Sequence, residues 1–117
     1  MAIYKFSPKD PSEVILATFD FSNLLNADIN EKIQSALWSS VLAPIGGNSS
    51  WPNASAAVQD PNPSALISGT TSITDTTTSN YLSNGYDKNT YRITAKVVTN
   101  MGQTFKLSAD MLVEVQQ

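Results

Sequence analysis

Cysteine and histidine are both missing from this 117-residue chain. Without cysteine there is no disulfide, no thiolate-bound zinc and no thiol nucleophile. Without histidine the commonest general base near neutral pH and the commonest metal ligand are gone, so neither a Ser-His-Asp nor a Cys-His arrangement can be assembled. Cations are scarce: seven Lys and Arg stand against ten Asp and Glu, a net charge of −3. Nucleic-acid affinity rests on clustered cations that neutralise phosphates, and these seven are scattered, so no nucleic-acid partner is expected. Long apolar runs are lacking too. No window approaches the ~20 residues that span a bilayer, and Met1-Ala2-Ile3-Tyr4-Lys5-Phe6 holds no apolar core of signal-peptide length. Synthesis in a cytoplasm without a membrane partner is the expectation. The sequons Asn48-Ser49-Ser50 and Asn53-Ala54-Ser55 are then chance matches.

Chemical motifs are equally thin. Gly46-Gly47 is not followed by Lys-Ser or Lys-Thr, and no Gly-x-Ser-x-Gly elbow occurs. Asn23, Asn26, Asp28 and Asn30 read as a loop that binds its own backbone, lacking the acidic spacing of a calcium site. Nothing local pairs the carboxylates for hydrolysis. No enzyme activity, metal or cofactor is expected.

What is there is strand pattern. In 90–99, Tyr91, Ile93, Ala95 and Val97 alternate with Arg92, Thr94 and Lys96, the period of two that marks a half-buried strand. Asn100-Met101-Gly102 supplies a turn, with Gly102 free to take positive φ. The return strand puts Phe105, Leu107, Ala109, Met111, Val113 and Val115 inward. This long C-terminal hairpin, beginning at Gly85, is how an immunoglobulin-like antiparallel β-sandwich closes, so the expected fold class is all-β. One domain is expected, 13–117, preceded by an extended arm, 1–12, in which Pro8 and Pro11 cannot donate to a ladder.

In 13–21, Ile15, Ala17, Phe19 and Phe21 share one face, and Val14 and Leu16 make the other only partly polar. Such a strand is either central or covered by another chain, and the buried sandwich strand is the preferred reading. Between 29 and 41 the signal is ambiguous. Ile29, Ile33, Leu37 and Val41 form a helical stripe, with Asp28 and Glu31 resembling a capping box, yet 33–38 also serves as a strand. On pattern alone a short helix is slightly ahead. Residues 44–64 read as a long loop around Trp51, either a partner contact or a lid over the core. The threonine-rich 64–83 reads as two strands, 64–69 and 71–83, turning at Gly69, with a solvated hydroxyl surface.

Several of these segments resemble one family. Lys9-Asp10-Pro11-Ser12-Glu13-Val14, Phe19-Asp20-Phe21-Ser22, Ile33-x4-Trp38, Leu82-Ser83-Asn84-Gly85, Tyr91-Arg92-Ile93-Thr94, Gly102 and the ending Val113-Glu114-Val115 are similar to the phage fiber-tail adaptor proteins, small domains among the tail genes of long-tailed bacteriophages. The likeness covers both ends and says little about 44–80. Phe21 stands where the family has tryptophan, and Asn84 stands for the first glycine of a pair; asparagine tolerates left-handed φ.

The resemblance implies an Ig-like sandwich and reverses the balance at 29–41 in favour of a strand. It implies a structural virion protein of the tail or baseplate, linking to fibers by protein–protein contacts in a symmetric multi-copy assembly. Expected contact residues are Ile3, Tyr4, Phe6, Pro8, Pro11, Val14, Leu16 and Trp51; expected structural residues are Phe19, Phe21, Trp38, Gly85, Tyr91, Gly102 and Phe105. Tyr91 suits either a tyrosine corner or a plain core position. Deleting residues 1–9 is expected to block assembly and spare the fold. The alternative is a carbohydrate-binding module stacking sugars on Trp38, Trp51, Tyr81 and Tyr86.

Overall fold

Alternating side chains produce strands along most of the described chain. The computed structural model describes residues 3–5, 9–43 and 60–115; Phe6, Pro8 and Trp51, and the side chains of Ile3 and Tyr4, lie outside the described residues. The strands are β1 (Ile3–Lys5), β2 (Val14–Asp20), β3 (Ile33–Leu42), β4 (Ile67–Ile73), β5 (Thr77–Ser83), β6 (Asn89–Thr99) and β7 (Thr104–Val113), with single 3-10 turns at Ala27–Ile29 and Pro63–Leu66. One sheet has the order β1-β7-β6-β3, the other β2-β5-β4. β1 runs parallel to β7; every other neighbouring pair is antiparallel.

The inward residues of both sheets share one core. Ala17, Phe19 and Phe21 meet Tyr91, Ile93, Ala95 and Val97 of β6 and Leu107, Ala109, Met111 and Val113 of β7. Trp38 of β3 ties the layers together. Its ring lies 5.1 Å from that of Phe19, tilted by 47°. Its indole N–H donates to Thr78 Oγ1 of β5 at 3.0 Å, and that hydroxyl donates to Ser72 O at 2.9 Å. Burying an aromatic ring while its polar atom keeps a partner avoids the desolvation cost of an orphaned donor.

Five expectations drawn from pattern need correction. Residues 33–42 are the strand that the resemblance favoured, not the helix that the pattern alone put slightly ahead, and within 27–42 only Ala27–Ile29 is helical, as one 3-10 turn. A period of four is also a multiple of two, so the Ile29–Val41 stripe could not discriminate. Its members Leu37 and Val41 prove to be exposed, and a register shift between Ile33 and Ser35 turns Ile33 alone inward. Glu31 does not cap with Asp28. It is buried, accepting from Asn26 N at 3.0 Å and from Thr99 Oγ1 at 2.7 Å. Gly69 is not a turn residue but lies in an irregular stretch of β4, at φ +73, where pairing breaks between Ser68 and Ser72. The side chain of Asn80 fills that gap, donating to Ser68 O at 2.7 Å. The turn falls at 74–76, where Thr74 Oγ1 accepts from Thr77 N at 3.0 Å. Finally, Val115 is exposed rather than inward, and β2 is an edge strand rather than a central one.

Lys9 to Glu13 are bonded into the body of the fold. Lys9 is completely buried. Its ammonium donates to Asn84 O at 2.6 Å and Asp10 O at 2.9 Å, while its backbone bonds Leu112 O and Glu114 N. Desolvation pulls its pKa below the ordinary lysine value. Asp10 Oδ1 accepts from Ser12 N and Ser12 Oγ, and Glu13 Oε1 accepts from Asp10 N, so Lys9 to Glu13 closes as a self-bonded turn. Deletion through residue 9 therefore removes a core contact, contrary to the expectation that it spares the fold.

Asn84 has φ 59 and Gly85 φ +99, in the left-handed range. A Cβ at Gly85 would meet Val113 Cγ2 at 2.9 Å, Val113 Cγ1 at 3.1 Å and Leu66 Cδ1 at 3.2 Å. Gly85→Ala is accordingly expected to cost about 3 kcal/mol, backbone strain and overpacking combined. Gly102 also has positive φ, but a Cβ there would meet nothing within 4 Å, so Gly102→Ala should cost only about 1 kcal/mol. Urea unfolding of the two variants checks that order.

Candidate functional site

Most of the carboxylates have structural partners, which bears on what the molecule can do. Arg92 pairs with Asp110 through two bonds, Nε to Oδ1 at 2.9 Å and Nη2 to Oδ2 at 3.2 Å, and this partner raises the guanidinium pKa further. Lys32 faces Asp75 at 3.7 Å. Asp20 accepts from Ser22 N at 2.8 Å, which holds its carboxyl below the usual range. Among the described residues no group of three acidic side chains is placed to hold a metal ion.

A polar cluster surrounds the buried Tyr91 at the entrance of β6. The Tyr91 hydroxyl accepts from Tyr86 N at 2.8 Å and donates to Asp60 Oδ2 at 2.6 Å. Asp60 N in turn donates to Asn89 Oδ1 at 3.0 Å. Burial first, and then the bond to Asp60, push the phenol above its ordinary range. Tyr91 is thus the buried tyrosine tied to backbone five residues upstream. Asp60 was invisible as its partner, because 31 residues separate them. This arrangement clamps a loop to a strand. The Tyr91 hydroxyl is engaged on both sides, by Tyr86 N and by Asp60 Oδ2.

Among the described residues, the features left for function are the outer faces of the sheets. On the three-stranded sheet, Ile15, Ala17 and Phe19 turn inward, so Val14 and Leu16 point to solvent at 64% and 55% exposure. Register sets Leu16 opposite Tyr81, itself 46% exposed, and Val14 opposite Ser83. Tyr81 lies against Gly69, where a Cβ would come within 3.3 Å of its ring. Thr18 and Ser79, the next pair along, bond each other at 2.7 Å. The result is a small apolar row, Val14, Leu16 and Tyr81, bordered by hydroxyls on a sheet edge. An unpaired edge with apolar side chains is a surface to which another chain can add.

Of the expected contact residues, the structure brings Val14 and Leu16 together and leaves Pro11 half-buried in the Lys9–Glu13 turn. β1, which carries Ile3 and Tyr4, runs along β7. Tyr81 was missed as a neighbour of Leu16; its outward phase in 77–83 was the available signal, but only pairing shows what it faces. Phe19, Phe21, Trp38 and Tyr91 lie in the core, and Phe105 packs against it half-buried. Trp38, needed for a sugar-stacking platform, is therefore unable to present its ring, although Tyr81 and Tyr86 are exposed.

Among the described residues no helix is long and apolar enough to cross a membrane. No curated protein matches the chain. A family model does: residues 9–111 match the podophage GP4 fiber-tail adaptor protein gp77. The match spans all the segments that carried the resemblance except the ending Val113-Glu114-Val115, and it names podophages where the resemblance suggested long-tailed phages.

Proposed function

The chain belongs to the podophage GP4 fiber-tail adaptor family, and from that premise we propose a structural virion protein that links tail to fiber through protein–protein contacts. The observation that carries the reading is the exposed row formed by Val14 and Leu16 of the edge strand β2 and Tyr81 of its neighbour β5. Contiguous apolar side chains on a solvent-facing sheet are normally covered by a partner. In this reading several copies stand in a symmetric tail assembly, each burying the same patch, and the protein has no catalytic role.

An immunoglobulin-like classification fits the same picture. The strand order, a first strand parallel to the last, and a buried tyrosine bonded to upstream backbone at the entrance of β6 all support it.

The test is incorporation. Val14→Ser with Leu16→Ser alters only outward side chains, so thermal unfolding should stay within about 0.5 kcal/mol of the parent. Particles assembled with this variant supplied in trans should contain less than a tenth as much of the protein as those assembled with the parent. Equal incorporation of both would remove this face from the assembly.

A further inference from the structure

The opposite side of the molecule carries a surface of different chemistry. On the four-stranded sheet, register places Leu37 of β3, Lys96 of β6 and Lys106 of β7 side by side in one transverse row. All three point outward and are exposed, Leu37 by 68%. Lys96 and Lys106 are direct cross-strand partners. Like charges in that position repel.

The arrangement is odd in a chain with only seven cations and a net charge of −3. Three others already have partners: Lys9 holds two backbone carbonyls, Lys32 faces Asp75 and Arg92 is doubly bonded to Asp110. All ten carboxylates of the chain fall within the described residues, yet neither Lys96 nor Lys106 has an ion-pair partner among them. The adjoining outward positions are hydroxyl or apolar: Thr94 and Ser108 bond each other at 2.8 Å, and Val98 faces Thr104. The acidic chain thus sets two unneutralised cations beside an exposed leucine, on the sheet face turned away from the Val14–Leu16–Tyr81 row.

We propose that this row is a second docking surface, and that its occupant is an acidic segment of a neighbouring virion protein. Carboxylates of that segment bridge Lys96 and Lys106, and an apolar side chain covers Leu37. Charge complementarity favours this occupant over a second copy of a chain that is itself acidic. Two cations are also too few to hold a nucleic-acid backbone. The inference rests on the adaptor reading and sharpens it: the two sheets present chemically distinct faces, apolar and cationic, to two different partners.

The test has two arms. In the first, the full isotope-labelled chain is titrated with hexaglutamate at low salt and followed by amide NMR shifts. Shifts centred on Leu37, Lys96 and Lys106 are expected, weakening at least tenfold in Lys96→Gln/Lys106→Gln and staying within threefold in Lys96→Arg/Lys106→Arg. Absent shifts, equal shifts with hexalysine, or tighter binding of a DNA oligonucleotide at the same row would overturn the proposal. In the second arm, Lys106→Glu replaces repulsion by a cross-strand ion pair. Its melting temperature should hold or rise while its incorporation into particles, or its recruitment of one neighbour, falls at least tenfold. If Lys106→Glu assembles normally while Val14→Ser/Leu16→Ser does not, this inference fails and the adaptor reading stands. If both assemble normally, both fail; self-association through this row instead of hexaglutamate binding likewise sinks it.

Discussion

Trp38→Ala is expected to lower the unfolding free energy by about 4 kcal/mol, the upper range for emptying a buried aromatic site. The ring fills the space between the sheets against Phe19 and anchors to Thr78 across the core. A chain of this size holds a total stability of about 5–15 kcal/mol, so the variant should be largely unfolded at temperatures the parent tolerates. Trp38→Phe separates the contributions. It keeps most of the packing and loses the indole N–H, while the Thr78 hydroxyl still has Ser72 O to donate to. Its cost should be about 1 kcal/mol. Urea titrations followed by far-ultraviolet circular dichroism measure both, and a Trp38→Ala cost below about 1 kcal/mol would refute the bridging role.

The second large effect is expected at Tyr91. Tyr91→Phe keeps the ring but leaves the Tyr86 N–H without its acceptor and Asp60 Oδ2 without its donor, while Asp60 Oδ1 still accepts from Asn62 N. About 2 kcal/mol should be lost, lowering the melting temperature by about 10 °C for a domain of this size. Asp60→Asn in the parent and in Tyr91→Phe completes a double-mutant cycle, with an expected coupling of about 1 kcal/mol.

The same phenol sets an alkaline limit. Burial, and then the Asp60 bond, raise its pKa in the folded state above the ordinary 10.0. The folded state therefore keeps this proton when the unfolded state releases it. The contribution is complete below pH 10 and is lost as pH climbs from there toward the folded value. Lys9 acts in the opposite sense: burial lowers its pKa beneath 10.5, so rising pH relieves a charge that folding desolvates. Comparing parent with Tyr91→Phe cancels Lys9, and the urea midpoint of the variant should fall less steeply from about pH 10 upward. Parallel curves would show that the hydroxyl does not carry the dependence.

Period two along 90–115 was enough to read the pairing of β6 with β7 and nearly all its inward residues. It failed at Val115, past the last residue paired in β7. The left-handed tolerance argued for Asn84 corresponds to its φ of 59. At 29–41 the apolar spacing suited helix and strand alike, and the resemblance to a family, not the pattern, favoured the strand that forms. At 13–21 the sequence showed two apolar faces. It could not say whether the outer one was covered, because coverage depends on a strand's place in the order of the sheet.

Local patterning and composition by themselves determined the all-β class, the inward sets of β2, β6 and β7 and the lack of thiol and imidazole chemistry. These follow from which atoms the chain contains and which side of a pleat each side chain takes. Only the tertiary structure decided that β2 is an edge, that Leu16 faces Tyr81, that Lys96 faces Lys106, and that Asp60 reaches Tyr91. Each is a relation between residues distant in the chain, set by strand register and by closure of the core, and no periodicity within a single segment encodes it.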